Sequence, residues 1–262
     1  MVNPILDAVR RLADDERLGA LVTVIAGPDT GTKAVVDADA GVVAGKLPAD
    51  IADDVLADAG ELMDHERSRA LDYGDTRVFI ETVAPPPVLL AFGAGHITQP
   101  LSRMAKEAGF RVVVGDARAA WATAERFPEV DHLIVGWPDV VLEAFPPDRR
   151  TYVALLSHDA RFEEPVFAAI RDVPVRYIGA MGSRRTHRAR LERLRGRGWS
   201  EEQLERIHGP IGIDIGAETP AETAIAILAE MIKVRYGHGT GEPLRGVEGR
   251  IHRQRGEEAG TE

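Results

Sequence analysis

Apolar positions along this chain change their period several times, and each change predicts a change of element. Ile5, Leu6, Val9 and Leu12 recur at helical spacing behind Asn3 and Pro4, a cap and a first-turn proline that predict a helix. "ALVTVIAG" and "KAVVDADAGVVAG" then read as strands with turn residues between them. Ile51, Val55, Leu56 and Leu62 stripe a second helix within "PADIADDVLADAGELMDHE", and "RVFIETV" follows as a strand. Three prolines, Pro85 to Pro87, interrupt the pattern with a stiff connection, and a domain boundary is expected there.

Beyond the prolines the pattern becomes short apolar runs alternating with helical stretches, as in a parallel sheet covered on both faces. The predicted strands "VLLAF", "RVVVG", "HLIVG", "YVALL" and "VRYIG" start near Val88, Arg111, His132, Tyr152 and Val175. Helices are expected around Pro100–Ala108, Ala119–Arg126, Val140–Ala144 and Pro165–Arg171, then over Arg185–Arg197, Glu201–His208 and Ala221–Tyr236. The last has Thr219 as cap, Pro220 in its first turn and Glu222 placed to close a capping box. Its body, "AIAILAEMIKV", is apolar nearly all round, which predicts burial on two sides by core, with a subunit interface as the other reading of the second side.

The chain is therefore expected to be α/β, with a small α/β domain over 1–84, a larger parallel-sheet domain over 85–236 and a flexible tail over 237–262. Its 262 residues allow that arrangement. A formal charge of −10 argues against a general nucleic-acid or anionic-membrane surface. No cysteine is present, which removes disulfides, zinc thiolates, iron–sulfur ligation and thiol nucleophiles from the chain's chemistry. "MVNPILDAVRRLADDERLGA" has no basic segment followed by an apolar one, and no apolar run approaches the roughly 20 residues that span a bilayer. A cytoplasmic protein is expected.

Candidate chemistry gathers at the ends of the predicted strands. Gly93 and Gly95 lie between a buried strand and a helix, where backbone amides can approach a phosphate, although Thr98 stands where a third glycine is usual. Asp116, 21 residues after Gly95, sits where an acid would bond a ribose hydroxyl; Arg118 can meet a phosphate or face solvent. Ser157, His158 and Asp159 emerge after the fourth strand and suit acid–base chemistry or ligand orientation, unless Asp159 is only a helix cap. Gly182, Ser183, Arg184 and Arg185 open a helix whose first-turn arginines oppose its dipole, a conflict that a bound anion would remove. Seven arginines fall between Arg184 and Arg197, the later ones being read as solvent-facing. Asp214 and Glu218, in the glycine-rich "HGPIGIDIGAETPAE", either line the same cleft or belong to a crossover.

From about Val78 to Gly237, roughly 60% of the chain, the sequence resembles the xanthine dehydrogenase accessory protein (XdhC/CoxI) family. The resemblance rests on "FIETVAPPPVLLAFGAGHITQPL", "FRVVVGDAR", "LLSHDARFEEPVF", "YIGAMGSRRTHRARLERL" and "RIHGPIGIDIGAETPAETAIAILAEM". It implies a Rossmann-like doubly wound sheet behind an N-terminal domain, commonly dimeric. The implied role is a molybdenum-hydroxylase maturation factor that binds molybdenum cofactor (molybdopterin or its dinucleotide), assists its sulfuration by a cysteine desulfurase, and aids its insertion. Carried over to this chain, the family's ligand residues fall on Gly93, Gly95, His96, Asp116, Arg118, Ser157, His158, Asp159, Gly182, Ser183, Arg184, Arg185 and Asp214, with no resident metal implied. The N-terminal stretch "IAGPDTGTKAVVDADAGVVAGKLPADI" lacks the family's Ser-Ser-Pro-Arg and Ser-Gly-Gly-Cys-x-Glu motifs, so no persulfide can pass through this chain. Two other readings stay open: an NAD(P)-dependent oxidoreductase, from Gly93, Gly95 and Asp116, and a Rossmann scaffold without a ligand.

Overall fold

A computed structural model describes residues 3–157, 159–237 and 239–246, which fall into two compact units, Met1–Pro85 and Pro86–Glu262. The first unit holds α1 (Pro4–Asp14), β1 (Gly19–Ala26), β2 (Lys33–Asp37), β3 (Gly41–Gly45), α2 (Ala52–Asp64), β4 (Arg69–Tyr73) and β5 (Thr76–Val83). Its five strands pair antiparallel in the order β3-β2-β1-β5-β4. Alternation along β2 explains how both faces are covered: Ala34 and Val36 join the cluster beneath Val55, Ala59 and Met63 of α2, whereas Val35 joins Ala8 and Leu12 of α1. The Asn3 side chain accepts from the Ile5 amide and so caps α1. β4 is absent from the sequence-based prediction, because a short edge strand of mostly half-buried residues carries little alternation.

The second unit holds β6 (Val88–Phe92), α3 (Thr98–Glu107), β7 (Arg111–Asp116), β8 (His132–Val135), α4 (Pro138–Ala144), β9 (Thr151–Leu155), α5 (Ala160–Ile170), β10 (Tyr177–Ala180), α6 (Arg184–Arg195), α7 (Glu201–Glu205), β11 (Ile207–His208) and α8 (Pro220–Tyr236). All six strands run parallel, ordered β11-β10-β9-β6-β7-β8. Numbered within the unit, that order is 3-2-1-4-5-6 from one edge, the dinucleotide-binding arrangement of a doubly wound sheet. The chain leaves β6 in one direction and returns to its other side at β9, so a crevice opens past the carboxyl ends of these two neighbours. Leu89 and Ala91 pack under α3 and α8 with Leu101, Ala105, Ile227 and Met231; Leu90 and Phe92 pack on the opposite face with Val166, Phe167 and Ile170 of α5.

Three sequence-based expectations are corrected here. Residues 119–126 form separate turns rather than a helix. The Arg126 guanidinium bonds the Ala94 and Trp121 carbonyls at 2.9 and 2.6 Å while Ala122 and Phe127 are buried, and these anchors dictate a path that no continuous ladder follows. The helix expected over Glu201–His208 ends at Glu205, because Ile207 and His208 pair alongside Ile178 and Gly179 of β10 as the edge strand β11. The last helix is not covered all round: Ala224, Ala226, Ile227 and Met231 are buried, while Ile225, Ile232 and Tyr236 are exposed on this chain. Among the described residues no helix is long and apolar enough to cross a membrane. The tail expected to be flexible lies outside the described residues from 247 onward.

Candidate functional site

The crevice at the β6/β9 switch is a cleft of about 760 Å³, lined by Gly95, His96, Ile97 and Thr98, by Arg118 and Trp121, by Leu156, Ser157, Asp159 and Ala160, and by Met181 and Pro220. Such volumes suit a small organic ligand. The walls come from loops after β6, β7, β9 and β10 and from the start of α8.

Gly93 makes the crossing at the floor possible. Its φ is +109°, and a Cβ there would stand 3.1 Å from the Ser157 amide nitrogen and 3.2 Å from the Leu156 carbonyl carbon. Thr98, fully buried, donates its hydroxyl to the Gly93 carbonyl, so the residue in the third-glycine position ties the turn to α3 instead of leaving space. Gly93→Ala is expected to lower stability by about 1–3 kcal/mol, read as a lower thermal midpoint with the Ser157 side of the cleft displaced. Gly95 is different: a Cβ there meets nothing within 4 Å, because it opens on the cleft.

Asp116 is entirely buried at the end of β7. Its Oδ2 accepts from the Ala94 amide at 2.7 Å and from Arg118 Nη2 at 2.6 Å; its Oδ1 accepts from the Arg118 amide and Nε, both at 2.9 Å. Burial alone would push this carboxyl up, but those bonds and the guanidinium charge outweigh it and hold it below the usual carboxylate range. The same hydrogen bonds raise Arg118 further above its ordinary value. Arg118 lies over the Trp121 indole at 4.9 Å and Arg126 lies 4.8 Å from the same ring; His96 meets its edge at 5.3 Å. A cationic, aromatic wall therefore faces the cleft.

On the opposite side Ser157 Oγ accepts from the Asp159 amide at 3.2 Å, and Asp159 caps α5 by accepting from the Arg161 amide at 2.9 Å. Its carboxylate also holds the Arg161 guanidinium at 2.6 Å. His158 lies outside the described residues. Of the residues proposed from sequence, Gly95, His96, Arg118, Ser157 and Asp159 line the cleft, and Gly93 and Asp116 support it from below. Gly182 to Arg185 follow directly on the lining residue Met181 without lining the cleft themselves. Ser183 spends its hydroxyl capping α6 through the Thr186 amide at 3.1 Å, with Arg184 and Arg185 exposed in the first turn. Asp214 is exposed and bonds the Gly216 amide at 3.3 Å within its own loop.

Three elements of the site escape the sequence reading. Trp121 lies in a segment expected to be helical, and only the spacing Arg118–Trp121–Arg126 hints at its stacked arginines. Arg190, expected on a solvated face, is buried and bonds Glu163 through Nε at 3.0 Å and Nη2 at 2.6 Å, while Nη2 also holds the Met181 carbonyl at 2.8 Å. Glu230 gathers the Tyr177 hydroxyl, His208 Nδ1 at 3.0 Å and the Gly212 amide at 2.8 Å, thereby fixing the glycine-rich loop that leads to α8.

Residues 89–231 match the family described as the XdhC Rossmann domain. A protein of Bacillus subtilis described as a probable xanthine dehydrogenase subunit is 32% identical over 160 residues, covering 61% of this chain and 46% of that protein. The molybdenum cofactor insertion chaperone PaoD of Escherichia coli is 36% identical over 140 residues, covering 49% of this chain and 42% of that protein. The chain thus spans less than half the length of these curated relatives. A crystal structure from Bacillus halodurans, described as a xanthine dehydrogenase, shares the fold with a TM-score of 0.51 at 18% identity, over 86% of this chain and 92% of that one.

Proposed function

Because the chain belongs to the XdhC Rossmann-domain family, we propose that it is a maturation factor for a molybdenum hydroxylase, holding molybdenum cofactor as cargo in the β6/β9 cleft before insertion. The observation that carries this reading is the cleft itself: about 760 Å³ at the switch point, walled by Arg118, His96 and Trp121. A phosphorylated pterin is anionic at one end and planar at the other, and a guanidinium beside aromatic rings offers matching chemistry to both. The name of the Escherichia coli relative, a cofactor insertion chaperone, supports the same role, and that of the Bacillus subtilis relative supports a client of the xanthine dehydrogenase type. Sulfuration by a desulfurase partner belongs to the proposal. Having no cysteine, the chain would present the cargo for direct transfer rather than relay sulfur itself. A homodimer formed through the exposed Ile225, Ile232 and Tyr236 side of α8 is part of this reading too.

The strand order favours a second reading, an NAD(P)-dependent oxidoreductase. Against it, both oxygens of Asp116 are already engaged by the chain, leaving no acid for a ribose diol. A scaffold that had lost its ligand would fill its crevice with side chains, and this one is open.

Gly95→Phe is the test, since Gly95 lines the cleft and a Cβ there meets nothing within 4 Å, so a bulky side chain at this position competes with the ligand for space. Under anaerobic ultrafiltration with cofactor released from a donor enzyme, the unmodified chain is expected to retain molybdenum and pterin together. The variant should lose at least about tenfold in affinity at an unchanged thermal midpoint. Equal retention by both proteins, or retention by neither, refutes the cargo reading. Nicotinamide fluorescence on mixing, with hydride transfer to a substrate, would establish the alternative.

A further inference from the structure

We propose that Arg118 reads a phosphomonoester on the ligand of this cleft and that Asp116 is its positioning residue, an inference that rests on the cargo reading above. At the end of the second strand in this architecture an acid ordinarily accepts from ribose hydroxyls. Here the acid points inward. Its two oxygens take four N–H donors, from Ala94 and Arg118, which fills the lone pairs a carboxylate offers.

What faces the ligand at this position is the guanidinium. The Arg118 side chain is 53% exposed and lines the cleft, with Nε and Nη2 committed to Asp116 and no partner for Nη1 among the described residues. It is braced on one edge by the buried carboxylate and on its face by Trp121, so little side-chain freedom remains to be lost when an anion arrives. The cleft's other carboxylate, Asp159, spends its hydrogen bonds on Arg161 and acts on Arg118 through charge alone. The start of α3 adds to this: Gly95 to Thr98 line the same wall, and the helix has neither a side-chain cap nor an acid in its first turn. A doubly ionised phosphate matches this combination of fixed fork and helix terminus better than a neutral diol does.

Two sources offer that chemistry, the terminal phosphate of molybdopterin and the 2′-phosphate of NADP. The test measures binding of released molybdenum cofactor before and after phosphatase treatment, and of NADP+ against NAD+, to the unmodified chain and its variants. The unmodified chain is expected to bind intact cofactor at least about tenfold more tightly than the phosphatase-treated form. Arg118→Ala should abolish that difference by weakening the intact form far more than the treated form, and Arg118→Lys, a charge without the fork, should restore part of it. Asp116→Asn with Arg118→Gln removes the cation without stranding a buried carboxylate, and it should behave as Arg118→Ala does. Equal binding of both forms to the unmodified chain, or equal weakening of both by Arg118→Ala, overturns the inference while the cargo reading survives. If neither form binds, the cargo reading falls and the nucleotide pair decides. A preference for NADP+ that Arg118→Ala removes upholds the phosphate assignment, and no preference overturns it.

Discussion

Glu163→Ala is expected to destabilise the second unit by about 3–5 kcal/mol, a fall of roughly 10 °C in thermal midpoint. Glu163 accepts two hydrogen bonds from Arg190, whose side chain is 1% exposed, and a third from Arg193 at 3.1 Å. An arginine cannot shed its proton to escape burial, so removing the carboxylate strands a full charge against the Met181 carbonyl, which cannot neutralise it. The pair is not required for stability as such: Glu163→Leu with Arg190→Met, which removes both charges at similar volume, should recover most of the loss. Urea titration followed by tryptophan fluorescence measures this directly, because Trp121, Trp137 and Trp199 all belong to the second unit. Equal destabilisation by the single and double variants would mean that packing, not charge pairing, is the source. Since Arg190 also holds the carbonyl of a cleft-lining residue, the single variants should weaken ligand retention more than their stability loss alone explains.

The second large effect is expected at Glu230. Glu230→Ala leaves the buried Tyr177 hydroxyl, the Gly212 amide and His208 Nδ1 without their shared acceptor, a cost of about 3 kcal/mol. The effect depends on pH with a definite sign. Burial acts to raise the Glu230 carboxyl, yet bonds from His208, Tyr177 and Gly212 outweigh it and hold it below the ordinary glutamate value. A depressed folded value means the stabilisation is complete above an unfolded pKa of about 4.3 and is lost as pH falls through the lower folded value. Denaturant midpoints of the unmodified chain and Glu230→Gln should therefore differ at neutral pH and converge in acid. A gap that persists unchanged at low pH would rule out ionisation as its source.

These two networks mark the boundary of what the sequence makes legible. Alternation and helical spacing identify most of the second unit's strands because each central strand is buried on both faces, as Leu89–Phe92 shows, and a continuous apolar run is a strong signal. Gly93 and Gly95 are legible as a turn for the same reason: they directly follow such a run. The segment 119–126 is not, because its path is set by Arg126 bonding carbonyls near and far in sequence, and helix propensity contains no term for that. Arg190 reads as a surface residue beside Arg188 and Arg193 until Glu163, on another helix, is brought against it. Asp116 is legible in position but not in direction; only its four donors reveal that it faces inward and offers Arg118 outward.

The strand order of the second unit also has a kinetic consequence. β6 pairs with β9 across the whole of α3, β7, β8 and α4, and the cleft draws residues from Gly95 to Pro220. Closing so long a loop costs entropy before any contact repays it, which places the crevice among the last features to assemble and makes refolding slow for a chain of this size. A nascent chain released before β9 has emerged therefore has two helices and three strands of the second unit to offer but no crevice, and a chain cut between β8 and β9 before folding would leave two pieces that must find each other before the crevice can form.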